Sequence, residues 1–550
     1  MSHQHTLAGA GARVLPENVH CDVAIVGYGP VGMTAAALLA AAGHRVVVVE
    51  RFPQRYDKPR AGHFDGETMR TFQQLGIARE VELLVRRMNS YEAVSSTNEV
   101  LAALKDGDAG SGWHKSYLFH QPEVEDVIDA RGRDLGVEVI MNATAVDIAQ
   151  SGHGVRLVVR DSDDLDGADC TIEAQFVLGA DGSNSFVRQN AGIAKQDLGF
   201  PALADLAIDF EYDDPDVEVP LGESGHLIED DVIVTFGRWT GGRISRVEVC
   251  KLGDEGTRAY LEDEGTAWTF LAKFGLKPDM GRIVRNSIYT FECTVAERWR
   301  DGRVLLIGDA AHTTVPFMGQ GVCAGIRDAA NLSWKLDAVL RGQADQTLLD
   351  TYESERSSHA VGIIRMAMAM GSMVIPAAAA AADLQHGQLQ GSDMPDPGAA
   401  FPRIGAGVVR NGDDPAAIPA EGRPALQARV GREGRVDLLE EFLQPGWKLI
   451  TRHPVPDSML DQDQRFLIEE LGLQRVHVSR AAGPNHYVDI DGDYDTWFQA
   501  TGRRAFLVRP DHYVFGAAAT IEDVPDLLDT LKDALTSHGW VLGDRLATQH

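Results

Sequence analysis

The chain of 550 residues contains five cysteines, at 21, 170, 250, 293 and 323. They form no C-x-x-C pair and show no metal-ligand spacing, and none follows position 323. A disulfide scaffold is excluded, as is thiol redox chemistry in everything beyond that point; the cysteines read as buried or incidental thiols in a reducing, cytoplasmic compartment. Positive charge is scarce too, with 51 Lys and Arg against 81 Asp and Glu for a formal charge of −30. Nucleic acid and anionic membrane surfaces select the opposite balance, so neither is an expected partner. The longest uncharged stretches do not make a membrane span: the one from about Met366 to Ala382 is broken by Gly371 and Pro376 and dominated by alanine. Residues 1–20 lack a charged-then-apolar leader pattern and read as a loose tail.

What the chain does have is 44% hydrophobic residues, ample for two to four domains. It also has a glycine fingerprint, Gly27-Tyr-Gly29-Pro30-Val31-Gly32, placed between the apolar run Val23-Ala-Ile-Val26 and an alanine-rich segment from Met33 to Ala42 that predicts a helix. That is the strand, turn and helix a dinucleotide site requires: glycines let backbone approach a pyrophosphate, whose charge rests on the free N–H groups of the helix N-terminus. A second strand, Arg45 to Val49, ends at Glu50, eighteen residues past Gly32, where a carboxylate accepts hydrogen bonds from a ribose.

Further along, Gln121-Pro-Glu-Val-Glu reads as a helix start, Glu67 to Arg87 as a helical stretch, and Ala143 to Asp147 as the first arm of a hairpin turning at Ser151–Gly154. Phe176-Val-Leu-Gly-Ala180 is a buried-type strand ending at Asp181-Gly182. From about 199 to 291 the texture changes to partial two-residue alternation, as in Ala204-Asp-Leu-Ala-Ile-Asp-Phe210, which predicts a sheet with one face covered. The chain then returns to the nucleotide fold: Val304-Leu-Leu-Ile307 delivers Gly308-Asp309, and the turn Pro316-Phe-Met-Gly319-Gln320-Gly321 opens a helix from Val322 to Leu340. The order implies a nucleotide domain assembled from separated pieces around an inserted sheet.

These motifs, together with Arg60-Ala61, Gln121, Ser185 and Arg188, resemble those of the class A flavoprotein aromatic hydroxylases of the para-hydroxybenzoate hydroxylase superfamily over roughly residues 20–360. Within that superfamily, Pro59-Arg-Ala, Asp65-Gly-Glu67-Thr-Met-Arg70 and Val508-Arg-Pro-Asp511-His-Tyr-Val-Phe-Gly516 look most like 3-(3-hydroxyphenyl)propionate hydroxylases. The resemblance implies an α/β fold: a Rossmann-like FAD domain in two parts (20–198 and 292–386, the second with a long helix), an inserted substrate-binding β-sheet (199–291), a linker (387–434) and a C-terminal thioredoxin-like domain (435–550). It implies FAD as cofactor, NADH or NADPH as transient reductant, and O2 and a small aromatic substrate as the other partners. The implied reaction is ortho-hydroxylation of a phenol through a flavin C4a-hydroperoxide. No second glycine fingerprint is present, so the nicotinamide would have no Rossmann domain of its own.

Residue roles follow from motif position. Glu50 is expected on the adenosine ribose, Arg51 and Arg60 on adenine or pyrophosphate or else in surface ion pairs, and Gln121 on the flavin chain or as a helix cap. The resemblance implies that Asp181 and Asp309 bracket the FAD, and Pro316 and the backbone of Gly319, Gln320, Gly321 and Val322 are expected against its ring. His63 has two readings, an acid/base group for the phenol or a hydrogen-bonded structural histidine; His312 reads as structural. Phe236, Arg238 and Tyr289 are candidate substrate contacts, with ordinary sheet packing as the alternative. The cysteine-free C-terminal domain is left with packing or homodimer formation. Alternatives for the whole chain are a monooxygenase or epoxidase acting on a larger polycyclic or lipid substrate, or a flavin-binding protein without turnover. A flavin halogenase is disfavoured, since its Trp-x-Trp-x-Ile-Pro segment is absent.

Overall fold

The computed structural model describes residues 15 and 18–542, apart from 56–59, 96–99, 106–109, 201–202, 215, 218–223, 230–231, 239–242, 252–258, 262, 380–400, 411–419, 482 and 484–485. Most of the expected N-terminal tail, and much of the expected linker, lie outside the described residues.

The nucleotide domain is built on a six-stranded sheet in the order Arg300–Asp301, Val304–Leu306, Phe176–Gly179, Val23–Val26, Val46–Val49, Glu138–Ile140. All neighbours run parallel except the Arg300–Asp301 edge. Parallel strands covered on both faces must be apolar throughout, which is why VAIV, VVVV and FVLG are buried at every position. Phe176–Gly179 lies between Val23–Val26 and Val304–Leu306, strands far from it in the chain on either side, as the return of the chain at Val304 predicts. Helix Pro30–Ala41 packs against helices Gln121–Asp134 and Gly321–Leu340. The stretch expected as one helix from Glu67 to Arg87 is instead Gly66–Gln74, Ala78–Glu82 and a strand, Val85–Arg87. Gly76, at φ +78°, takes the left-handed conformation that stops the first helix.

The inserted sheet has seven strands, in the order Gly281–Phe291, Leu203–Tyr212, Ile244–Lys251, Val232–Arg238, Ser224–Glu229, Ser90–Ser95, Val100–Lys105. It reaches beyond 199–291 by recruiting the hairpin of its last two strands from the first part of the nucleotide domain. Leu206, Ile208, Phe210, Val247 and Val249 form one apolar face, covered by Ala267, Phe270 and Leu271 of helix Glu264–Lys273. The alternate residues face the nucleotide domain.

Past the long helix Asp350–Ala379, the C-terminal domain is a seven-stranded sheet. It includes the strands Lys448–Thr451, Gln474–Ser479 and Ala505–Val508 and is flanked by helices Gln462–Glu470 and Val524–Ser537. Its sheet starts inside the span read as linker, because Arg429–Arg432 pairs with Arg435–Leu438 and Tyr487–Asp489.

Candidate functional site

A cleft of about 1140 Å³ runs between the nucleotide sheet and the inserted sheet, larger than the ~300–1,000 Å³ of most single-ligand pockets. Its floor begins at the glycine turn. Gly27 has φ +105°, and a Cβ there would lie 2.4 Å from the Ala180 carbonyl oxygen; one on Gly32 would lie 2.2 Å from that of Gly27. Gly29 has open space where its side chain would be, so its bare backbone faces the cleft. Helix Pro30–Ala41 starts there with no side-chain cap and no acidic residue in its first turn, and so does helix Gly321–Leu340 at the other end of the floor. Two uncapped N-termini aimed into one cleft leave backbone donors and positive dipole ends for phosphate and for an electron-rich ring. Pro30, Val31, Pro316, Gln320 and Val322 line the same floor.

Carboxylates are placed around it. Glu50 accepts from the Tyr28 N–H at 2.9 Å and the Phe52 N–H at 3.0 Å, which fixes it at the strand end with lone pairs to spare for ribose hydroxyls. Arg51 is exposed, its guanidinium 4.8 Å from the Phe52 ring, and it lines the rim with Arg60. Gln121 is no cap: its Oε1 accepts from the N–H groups of Arg60 and Ala61 at 2.7 and 2.9 Å, and its Nε2 donates to Glu125 at 2.6 Å. It therefore staples the Arg60 loop to the floor. Burial pushes the Glu125 carboxyl up to about 7. Asp181 takes the Ser185 hydroxyl and the Val187 N–H, and burial raises it; burial likewise raises Asp309, which is open to the cleft but walled by protein. The Gly308–Asp309 turn is held from behind by Asp328, which accepts from the Gly308 N–H at 3.1 Å, His312 Nε2 at 2.7 Å and Arg356 Nε at 2.9 Å. His312 is thus structural, stacked on Trp299.

His63 stands at the centre. Its Nδ1–H donates to the Gly319 carbonyl at 3.2 Å, so Nε2 is the unprotonated nitrogen, and burial lowers its proton affinity. Gly319, at φ +60°, has to be glycine: a Cβ would lie 2.6 Å from His63 Nδ1. Arg327, not singled out from the sequence, ties this region together. It pairs with Asp65, holds Glu67 at 3.0 Å and donates to Gln320 Oε1 at 3.0 Å, and Tyr513 of the C-terminal domain reaches Glu67 at 3.0 Å.

The opposite wall is the polar face of the inserted sheet, where Asp205, Thr235, Arg246, Glu248 and Tyr289 line the cleft. Of the three expected substrate contacts, Tyr289 is placed there. Phe236 borders the cleft, but its ring packs against Phe274, 4.9 Å away, in the insert's own core. Arg238 is not at the cleft: strand alternation turns it away from its cleft-lining neighbour Gly237, onto the Tyr212 ring and the Val217 carbonyl. Asp205, Arg246 and Glu248 carry a readable signal that sequence reasoning passed over, since charged residues alternate with Leu206, Ile208, Val247 and Val249 on strands too buried for charge to be solvated.

The glycine cradle, the paired helix N-termini, Glu50 and Asp309 fit FAD along the floor. Comparison with known proteins agrees. Residues 20–367 match the family described as FAD binding domain, and residues 422–534 match the HcaD C-terminal domain. A probable NADH-specific resorcinol 4-hydroxylase of Rhodococcus jostii is 34% identical over 535 residues, covering 96% of each chain. A 3-(3-hydroxy-phenyl)propionate/3-hydroxycinnamic acid hydroxylase of Mycolicibacterium smegmatis is 30% identical, covering 90% of each. Among solved structures, aklavinone-11 hydroxylase with FAD and aklavinone superposes with a TM-score of 0.75 at 25% identity, covering 94% of this chain and 99% of that one. The flavin-dependent monooxygenase PieE shares the fold at the same TM-score, 0.75, and 20% identity over 94% of this chain and 99% of its own. This chain belongs to the FAD-binding-domain family and is a flavin-dependent aromatic monooxygenase that takes electrons from a nicotinamide cofactor.

Proposed function

We propose that the enzyme hydroxylates a 3-substituted phenol beside its hydroxyl, the pattern of a 3-(3-hydroxyphenyl)propionate-like substrate. The observation that carries this reading is the position of His63, whose unprotonated Nε2 belongs to a ring lining the cleft between the FAD floor and the polar wall. Bound FAD supplies the reduction and oxygen activation. The chain's own task is to position the ring, strengthen its nucleophilic carbon and keep water out. His63 Nε2 accepts the phenolic proton, and the Gly319 carbonyl keeps that nitrogen free by holding the proton on Nδ1. Phe317, Met318 and Met370 give the cleft an apolar side that excludes water. Resorcinol is itself a 3-substituted phenol, and its position 4 lies beside one hydroxyl, so the Rhodococcus relative's named reaction fits the same geometry.

The C-terminal domain fits a thioredoxin-like arrangement. Lys448–Thr451, Gln474–Ser479 and Tyr487–Asp489 run parallel, and an antiparallel hairpin of Ala505–Val508 and Val514–Ala518 follows. With no cysteine it has no thiol redox role, which leaves packing or dimer formation.

A second reading, a larger polycyclic substrate, is favoured by the aklavinone bound in the structural neighbour. The experiment that separates the two follows NADH and NADPH oxidation by the FAD-loaded enzyme in air with simple phenols and with polycyclic phenols, with products read by mass. Stimulation by simple phenols and a gain of one oxygen support the first reading. Stimulation only by polycyclic compounds supports the second, and stimulation by neither removes both.

A further inference from the structure

Strand pairing defines the polar wall row by row. Tyr289 stands opposite Asp205, Ala207 opposite Glu248 with Thr235 beyond it, and Asp209 opposite Arg246. Arg246 is the one cation lining this wall among the described residues, and its donors are committed. Its Nε and Nη2 hold the two oxygens of Asp209 at 2.7 and 3.0 Å, while Nη1 donates to the Arg60 carbonyl at 3.1 Å and reaches Glu248 at 3.4 Å. Arg285, opposite Asp209 on the neighbouring strand and lying over the Tyr289 ring at 4.8 Å, also turns to Asp209, at 3.4 Å. A substrate carboxylate arriving here meets an arginine already answered by aspartate.

Asp205 is the reverse case. It is 3% exposed and lines the cleft, and its Oδ1 is buried without accepting a hydrogen bond. Glu248 lies diagonally across the strand pair on the same face, close enough that it disfavours charge on Asp205, while Asp209 does the same to Glu248. An unanswered buried acceptor costs a folded protein on the order of 1–3 kcal/mol. Such a cost at the wall of a ligand cleft is offset when the ligand brings the missing donor.

We infer that Asp205, with Glu248 beside it, is the specificity site of this cleft: Asp205 Oδ1 accepts a hydrogen bond from a second hydroxyl of a neutral polyhydroxylated aromatic, and the carboxyl pair turns away carboxylated phenols. The inference rests on the phenol hydroxylase reading above and names the substituent that the reading leaves open. The group at the 3-position is a hydrogen-bond donor, not an anion. Thr235 and Tyr289 line the same polar wall, Tyr289 directly opposite Asp205 and Thr235 opposite Glu248.

The test uses the FAD-loaded full chain and three probes: 1,3-dihydroxybenzene, 3-methoxyphenol, which lacks the second donor, and 3-(3-hydroxyphenyl)propionate. Hydroxylated product and kcat/KM are measured for the wild type, Asp205→Asn and Asp205→Ala, with flavin content and circular dichroism confirming the fold of each variant. Wild-type enzyme is expected to prefer 1,3-dihydroxybenzene over both other probes by at least about tenfold, the scale of one hydrogen bond to a charged or charge-sharing group. Asp205→Ala is expected to collapse the preference over 3-methoxyphenol by about tenfold. Asp205→Asn, which keeps an acceptor and removes the acid, is expected to raise the relative rate with the propionate. Wild-type preference for the propionate, or an equal loss on all three probes in both variants, overturns this inference while leaving the hydroxylase reading intact. No product from any probe removes the phenol reading itself.

Discussion

Where the C-terminal domain meets the nucleotide-binding helices, Arg509 holds Glu355 at 2.7 Å and Asp511 at 2.6 Å, and Lys335 holds Glu355 at 2.8 Å. Asn331, Trp334 and the Val408 N–H take up the remaining carboxylate lone pairs, and each of the four charged side chains is at most 1% exposed. On the cleft wall, Asp205, Asp209 and Glu248 share Arg246 and Arg285, and Asp205 keeps a buried oxygen unanswered. Both clusters are deep in protein. The first pairs two cations with two anions and is closed; the second has an excess of carboxyl and is open on one side. A closed network joins parts of a fold, while an open one waits for a ligand. The contrast is visible in proton affinity as well. Burial works to raise Glu355, yet Arg509 and Lys335 outweigh it and hold the carboxyl down to about 2, whereas burial and Glu248 drive Asp205 well above the ordinary aspartate range.

The harshest way to break the comparison is to open the closed network. Arg509→Met removes the cation shared by Glu355 and Asp511 and strands both carboxylates in a dry seam. Removing one partner of a buried pair costs about 3–5 kcal/mol. Equilibrium denaturation, followed by tryptophan emission, is expected to show the C-terminal domain releasing at lower denaturant, since Trp334 and Trp447 pack at this seam with ring centroids 5.8 Å apart. A loss within about 1 kcal/mol, the range of exposed pairs, would mean that the network contributes no more than a surface salt bridge. Lys335 is the weaker cation there, because burial pulls it down to about 8 while burial fails to do the same to Arg509.

A gentler probe is pH, because the two clusters carry opposite signs. Glu355 is depressed from 4.5 to about 2, so its contribution is complete above 4.5 and is lost as pH falls toward 2. Asp205 is raised, so the folded state keeps a proton that the unfolded chain has released; its contribution is present below 3.8 and fades as pH rises through the raised value. Glu355→Gln is therefore expected to flatten the stability profile between pH 4.5 and 2, and Asp205→Asn to flatten it above pH 3.8. Urea midpoints measured across about pH 2–8 at constant ionic strength, with about 1 kcal/mol resolved, check both. Parallel profiles for the two variants would dissolve the distinction.

The same contrast explains what sequence could reveal. The FAD floor was legible because its constraints are local. Gly27, Gly32 and Gly319 each sit where a Cβ would collide with nearby backbone or His63, and Glu50 follows its glycines at a fixed strand length. The parallel sheet was legible from runs buried on both faces, such as Val46–Val49. The wall was not, because its chemistry depends on which face of each strand meets the cleft. Arg238 and Arg246 look alike in the chain, and only the pairing of Phe236 with Val247 puts Arg246 on the cleft side and Arg238 on the other. Recruitment of Ser90–Ser95 into the inserted sheet rests on parallel pairing with Ser224–Glu229, in which Glu92 meets Gly225, 133 positions on (225 − 92), a separation no local pattern encodes.

The smallest expected effect is the most discriminating. Asp205→Asn in the ligand-free enzyme at neutral pH removes a carboxyl that the fold holds at a cost, in exchange for an amide of the same shape. If the wall is an open site maintained for a ligand, the variant is as stable as the wild type or more stable, by about 1 kcal/mol, even as it loses selectivity. Active sites pay for function in this way, and seams do not. If Asp205 instead belongs to a structural network, the variant is less stable and behaves as Glu355→Gln does at the seam. Thermal unfolding of both variants side by side, in the same buffer and with matched flavin content, decides between them, because both substitutions replace a buried carboxyl by its amide, one that neighbouring cations already answer and one that the protein leaves with an unanswered oxygen.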